Sequence, residues 1–90
     1  MEAMTTDALL TTMKHDNVEV TPVNKGETVY DFSIDHHHFG HLDKYGNLYL
    51  DTFEELVSKP LSLSKQTITR WISWAVKGFR INLRRLQKWQ

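Results

Sequence analysis

The chain has 90 residues, 40% of them hydrophobic and 24% charged, with no cysteine and a formal net charge of zero. Those figures describe one small domain of ordinary globular composition, so disorder is not the default reading, and without cysteine neither a disulfide framework nor a thiolate metal site is available. The zero conceals a division: residues 1–60 hold eleven carboxylates against four lysines, a net −7, whereas residues 61–90 hold seven lysines and arginines and no acid.

A charge asymmetry of this kind points to a polyanion as partner of the basic part. The competing reading is that the two parts neutralise each other within the fold or in a dimer. The start of the chain, Met1-Glu2-Ala3-Met4-Thr5-Thr6-Asp7, lacks the positive charge and apolar core of a signal peptide. No apolar run approaches the roughly 18 residues that a spanning helix needs. The expectation is a cytoplasmic protein with no membrane span, organised as one domain over residues 1–90, acidic and β-rich over 1–47 and basic and helical over 48–90.

In chain order, residues 5–14 predict a short helix, with Thr5 or Thr6 as N-cap and Leu9, Leu10 and Met13 on one side. Residues 17–23 alternate, Val18 and Val20 on one face and Glu19 and Thr21 on the other, which is a strand pattern. Gly26 supplies the positive φ of a tight turn. Residues 28–34 then place Tyr30, Phe32 and Ile34 on a common face, so the two runs read as a β-hairpin. Residues 35–41 read as a polar loop, and a turn over 43–47 leads into a third strand, Leu48-Tyr49-Leu50. A small antiparallel sheet of about three strands is expected.

At Asp51 the period shifts from two to about 3.6. Thr52 and Glu55 match a capping box, Phe53, Leu56 and Val57 would face inward, and Pro60 ends the short helix. Ser62 or Ser64 caps the next helix, in which Ile68, Trp71, Ile72, Ala75, Phe79, Leu83 and Leu86 recur at steps of three and four. A helix-turn-helix reading puts Ile68, Trp71 and Ile72 inside, Leu61 and Leu63 at the turn as pins, and Ser64, Lys65, Gln66, Thr69, Arg70 and Ser73 outside.

Three segments carry a likeness to a known family. They are Leu48-Tyr49-Leu50-Asp51-Thr52-Phe53-Glu54-Glu55-Leu56, then Ser64-Lys65-Gln66-Thr67-Ile68-Thr69-Arg70-Trp71-Ile72, then the run from Gly78-Phe79-Arg80 through Arg84-Arg85 to Trp89. Residues 48–89 resemble the winged-helix DNA-binding domains of phage excisionases and their MerR-like relatives. The resemblance implies an opening strand and first helix, a recognition helix, and a wing strand running into a closing helix. It also implies major-groove contacts from Lys65, Gln66, Thr69 and Arg70 and phosphate contacts from Lys77, Arg80 and Arg84. The same stripe equally fits one continuous helix from 64 to about 89, with only Gly78 out of character. Trp71, Trp74 and Trp89 are then packing or interface residues, and the cations a solvated face or a face laid on a membrane or an acidic partner.

His36, His37, His38 and His41 cluster near Asp31, Asp35 and Asp43. Imidazole and carboxylate suit zinc, nickel or copper, with His36, His38 and His41 as the candidate ligands. The simpler reading is a polar loop with solvated histidines, no metal and no cofactor. A milder possibility is a pH response as the histidines gain charge near pH 6.

These observations together predict an α+β domain, a small antiparallel sheet packed with a helix-turn-helix-like helical half. The leading expectation is a non-enzymatic regulatory or accessory protein of phage or mobile-element type that binds double-stranded DNA. Lys65, Lys77, Arg80, Arg84 and Arg85 would neutralise phosphates, and Gln66, Thr69 and Arg70, beside Ser64, would read bases. The alternative is a protein-interaction module, an inhibitor or adaptor that docks through its Trp-rich basic helix.

Overall fold

A computed structural model describes residues 2–52 and 54–88. Phe53, expected to face inward, and Trp89, expected at a packing or interface position, lie outside the described residues. The elements run α1 (Thr6–His15), β1 (Glu19–Lys25), β2 (Thr28–Ile34), β3 (His37–Asp43), β4 (Asn47–Asp51), β5 (Leu56–Pro60) and α2 (Lys65–Lys88). The class is α+β, as expected, but the sheet has five strands rather than about three, ordered β1-β2-β3-β4-β5 with every neighbouring pair antiparallel.

Helix α1 starts and stops on local chemistry. The Thr5 hydroxyl accepts the Ala8 N–H at 3.1 Å. At the other end Asn17 takes φ 61°, the Asn17 N–H donates to the Lys14 carbonyl at 3.0 Å, and the Val18 N–H donates to the Met13 carbonyl at 2.9 Å. That pair of bonds is a Schellman stop. Met13 and Val18 are both buried beside it, so the helix end is sealed by apolar contact and enters β1 at a fixed angle.

The β1–β2 hairpin forms as the alternation predicts, turning at Gly26 with φ 61°. Tyr30, Phe32 and Ile34 face the helices, and Phe32 and Ile34 are fully buried. The expected polar loop over 35–41 is overturned: His37–Asp43 is β3, joined to β2 by the two-residue turn Asp35–His36, with φ of 50° and 67°. Both residues accept the left-handed conformation that this tight hairpin needs. A bulge in β3, where Phe32 pairs with Gly40 and Ser33 with His38, leaves Phe39 as the extra residue and turns its ring into the core. Gly40 has no room for a side chain, since a Cβ there would collide with the Tyr49 carbonyl and the Leu50 side chain.

The short helix expected after the Thr52 cap and ended by Pro60 is also overturned. Residues Leu56–Pro60 are β5, paired with β4 from Asp51↔Leu56 to Asn47↔Pro60. Thr52 and Glu55 do bond to each other, but as a hairpin turn. The Thr52 N–H donates to the Glu55 carbonyl at 3.1 Å, and the Glu55 N–H to the Thr52 hydroxyl at 3.4 Å. Side-chain bonding that would cap a helix closes a turn equally well, and β5 gains a ladder of backbone bonds that an eight-residue helix ending at proline could not match. Pro60 sits at the end of an edge strand, where a missing N–H costs nothing. With strand in place of the first helix, no helix-turn-helix exists among the described residues.

The long second helix is continuous. Helix α2 spans 24 residues, so Gly78 to Arg80 is helix rather than a wing strand. Its buried residues are Ile68, Trp71, Ile72, Ala75, Val76, Phe79 and Leu83, which join Leu9 and Met13 of α1 and the inner face of the sheet in one core. Phe39 and Phe79 meet edge to face at 5.1 Å, linking bulge to helix. Leu61 is buried but follows a strand, its N–H bonded to the Gly46 carbonyl at 2.8 Å, while Leu63 is exposed, so the pair does not pin two helices. Leu86, expected inside, is exposed. Twenty-four helical residues span about 36 Å, whereas five strands at about 4.8 Å spacing span about 19 Å. The helix is longer than the sheet is wide, and residues 84–88 at its end are all exposed.

Candidate interaction face on helix α2

The residues assigned to nucleic-acid contact do not form one group. Ser64 is the cap of α2, its hydroxyl accepting the Thr67 N–H at 3.2 Å and lying 2.7 Å from the Thr67 hydroxyl. It nonetheless comes together with Lys65, Gln66, Thr69 and Arg70, and with Glu2, around a shallow depression of about 440 Å³. Lys77, Arg84 and Arg85 are exposed farther along the helix. Arg80 is different: its guanidinium donates to the Asp16 carbonyl at 3.0 Å and reaches the Asn17 carbonyl at 3.5 Å. It thereby holds the C-terminal end of α1, where the helix dipole favours a cation, and its role is structural.

Opposite the buried side of α2 runs a stripe at steps of four and three: Arg70, Trp74, Lys77, Ile81, Arg84 and Lys88. Trp74 is 65% exposed and Ile81 51% exposed. Cation and apolar residue alternate from Arg70 to Arg84, and none of the stripe's cations pairs with a carboxylate among the described residues. Beside the stripe, between α2 and the β4–β5 turn, lies a groove of about 380 Å³. Its walls include Val57, Trp74, Ala75, Phe79 and Ile81, its far lip carries Glu54 and Glu55, and Gly78 opens onto it. Sequence reasoning had found the cations and Trp74. Ile81 was hidden because it follows Arg80 in a run read as wing, although its spacing of seven from Trp74 marks the same face.

The second titratable cluster lies on the sheet face turned away from the helices. The β3 bulge brings His38 and His41 to the same side, rings 6.1 Å apart, and His41 stacks on Tyr49 at 4.5 Å and 14°. His36 sits in the turn with its Nδ1 3.7 Å from Glu19. Burial, followed by the neighbouring His38, lowers the His41 pKa, and Asp31 and Asp43 offset this only in part. His36, His38 and His41 are thus not gathered on one point, and among the described residues no three His, Asp or Glu side chains could share a metal ion.

Asp43, only 7% exposed, organises the β3–β4 turn. It accepts from the backbone N–H of Tyr45 and Asn47 at 3.0 and 2.9 Å, and from Asn47 Nδ2 and the Tyr49 hydroxyl at 3.2 and 3.1 Å. Burial alone would raise its pKa; the hydrogen bonds from Asn47, Tyr49 and Tyr45 outweigh it and hold the carboxyl below the usual range. The same bond pushes the Tyr49 phenol up. Tyr49, Asp43 and His41 are therefore occupied with one another.

Comparison of the chain with protein-family models, with curated proteins and with solved structures finds no match.

Proposed function

We propose that the protein is a non-catalytic docking module that binds an acidic protein partner through the outer face of α2. The observation that carries this reading is Trp74, 65% exposed on a continuous helix and spaced with Ile81 between cations that pair with no carboxylate among the described residues. Trp and Arg are the residues over-represented in the energetic centres of protein interfaces. A phosphate backbone offers nothing apolar to Trp74 and Ile81, and a partner surface does. The positive charge is placed to choose an acidic partner and speed encounter, and the apolar pair to retain it.

A second reading, DNA binding by charge alone, draws on the acid-free helix end, where Arg84, Arg85 and Lys88 are all exposed. The two separate in one experiment. Fluorescence anisotropy is measured with a labelled acidic amphipathic peptide and a labelled generic duplex, at about 50 and 200 mM salt, for wild type, Trp74→Ala and Arg70→Ala. Engagement of about six phosphates would cost the duplex roughly 10³-fold in affinity over that range. The docking reading expects peptide binding that falls less steeply with salt and is lost in Trp74→Ala. Tighter duplex binding that depends on Arg70 and ignores Trp74 would reverse the order of the two readings.

A further inference from the structure

Gly78 is out of place in the fold. It lies in the fourteenth position of a 24-residue helix, exposed, with ordinary helical backbone, and a Cβ added there would meet nothing among the described residues within 4 Å. Glycine is among the poorest helix formers, and nothing among the described residues needs the missing side chain. Its neighbours on the helix surface are Trp74 one turn before and Ile81 and Asn82 one turn after. Two bulky side chains with a glycine between them form a saddle. A second backbone settles into such a saddle more closely than the usual helix–helix separation permits.

The chemistry on either side of the saddle is unequal. One flank holds Arg70 and Arg84, with Lys77 between them and also lining the groove, and the other opens into that groove, whose far lip is Glu54 and Glu55. An occupant must therefore place carboxylates toward the lysine and arginines, an apolar ridge over Trp74 and Ile81, and no acid toward the groove lip. That three-sided division is the pattern of an amphipathic helix. A second copy of α2 does not meet it, because antiparallel self-pairing brings Arg70, Lys77 and Arg84 against their own kind, and like charges at close quarters cost specificity and affinity alike.

We infer that α2 receives an acidic amphipathic helix of another protein, laid along the Arg70–Trp74–Lys77–Ile81–Arg84 stripe with its closest approach at Gly78. This inference rests on the docking reading above and goes beyond it in naming the partner's secondary structure and the crossing point. The exposed saddle, the adjoining groove and the one-signed flank each constrain the same occupant.

The test uses the whole protein and two synthetic peptides of about 20 residues, long enough for about 30 Å of helix. One carries a leucine ridge at helical spacing with glutamates on one flank; the other has the same composition scrambled out of period. Binding by anisotropy is compared for wild type and Gly78→Ala, with a melting curve for each. The expected result is that the periodic peptide binds wild type at least about tenfold tighter than the scrambled one. Gly78→Ala should melt higher yet bind the periodic peptide about tenfold more weakly, since a methyl group at a close-packed crossing is overpacked.

Equal binding of the two peptides, or unchanged affinity in Gly78→Ala, overturns the helix and its crossing point while leaving acidic docking in place. Failure of both peptides to bind wild type overturns both readings. Sedimentation in which wild type dimerises and Trp74→Ala does not makes a second copy the occupant and also overturns the inference.

Discussion

The Arg80 guanidinium donates to the backbone carbonyl of Asp16 at 3.0 Å, joining two helices through residues 64 positions apart in the chain. The Schellman stop of α1 satisfies the Met13 and Lys14 carbonyls and leaves those of Asp16 and Asn17 facing outward, where Arg80 meets both. The cation expected to hold phosphate is thus spent on the fold.

Replacing Arg80 by alanine removes a charge-assisted bond at a partly buried site and should cost about 1–2 kcal/mol. Urea denaturation should show a lowered midpoint with little change in slope. Affinity for the acidic peptide should stay within about twofold of wild type, because Arg80 lies off the exposed stripe. A large loss of binding with unchanged stability would return Arg80 to the interaction face.

Asp43 makes stability depend on acid in a defined window. Its folded-state pKa is depressed, so the ionised form is favoured by folding. The stabilisation is complete above the unfolded value of about 3.9 and is lost as pH falls through the lower folded value. Asp43→Ala strands the N–H groups of Tyr45 and Asn47 and should cost about 2–3 kcal/mol at neutral pH. The gap between mutant and wild type should narrow below about pH 4. Urea midpoints taken across that range check both the size and the narrowing.

His41 acts nearer neutrality and with its own sign. Its folded-state pKa is lowered by burial and by His38 against the pull of Asp31 and Asp43, so folding favours the neutral ring. Stability is full above the unfolded value of about 6.5 and declines as pH drops through the folded one. His41→Phe keeps an aromatic ring over Tyr49 and removes the titration. Melting temperatures between about pH 7 and 5 should fall more steeply for wild type than for this variant. Parallel curves would show that protonation of His41 is not coupled to folding.

Sequence periodicity was most informative where one face of an element meets water and the other meets the core. The β1–β2 alternation, the cap at Thr5, β4 and the α2 stripe are of that kind, and each appears in the structure at about the expected residues. Two strands were illegible for separate reasons. The β2–β3 turn uses Asp35 and His36 at positive φ where glycine or asparagine would have announced it, and a bulge then breaks the alternation of β3. In β5, Thr52 and Glu55 carry the spacing of a helix cap, and only pairing with β4 decides that they close a hairpin.

The candidate site was legible in its charges, which their distribution along the chain reveals. It was not legible in which of those charges are free. Arg80 and Lys77 look alike in sequence; one is tied to α1 and the other stands on an open stripe beside Trp74. Nor could a continuous α2 be told from helix, wing and helix until Phe79 was seen packed on Phe39 in the core.

The central claim is that the outer face of α2 is the working surface, and a titration followed by ¹⁵N–¹H correlation spectra tests it residue by residue. With the acidic amphipathic peptide as probe, the account predicts shifts concentrated at Arg70, Trp74, Lys77, Gly78, Ile81 and Arg84, with the Trp74 indole N–H among the largest. The amides of β2 and β3 around Asp31, His38 and His41 should stay near their free positions. Shifts centred on that sheet face, with the α2 stripe unmoved, would contradict the account.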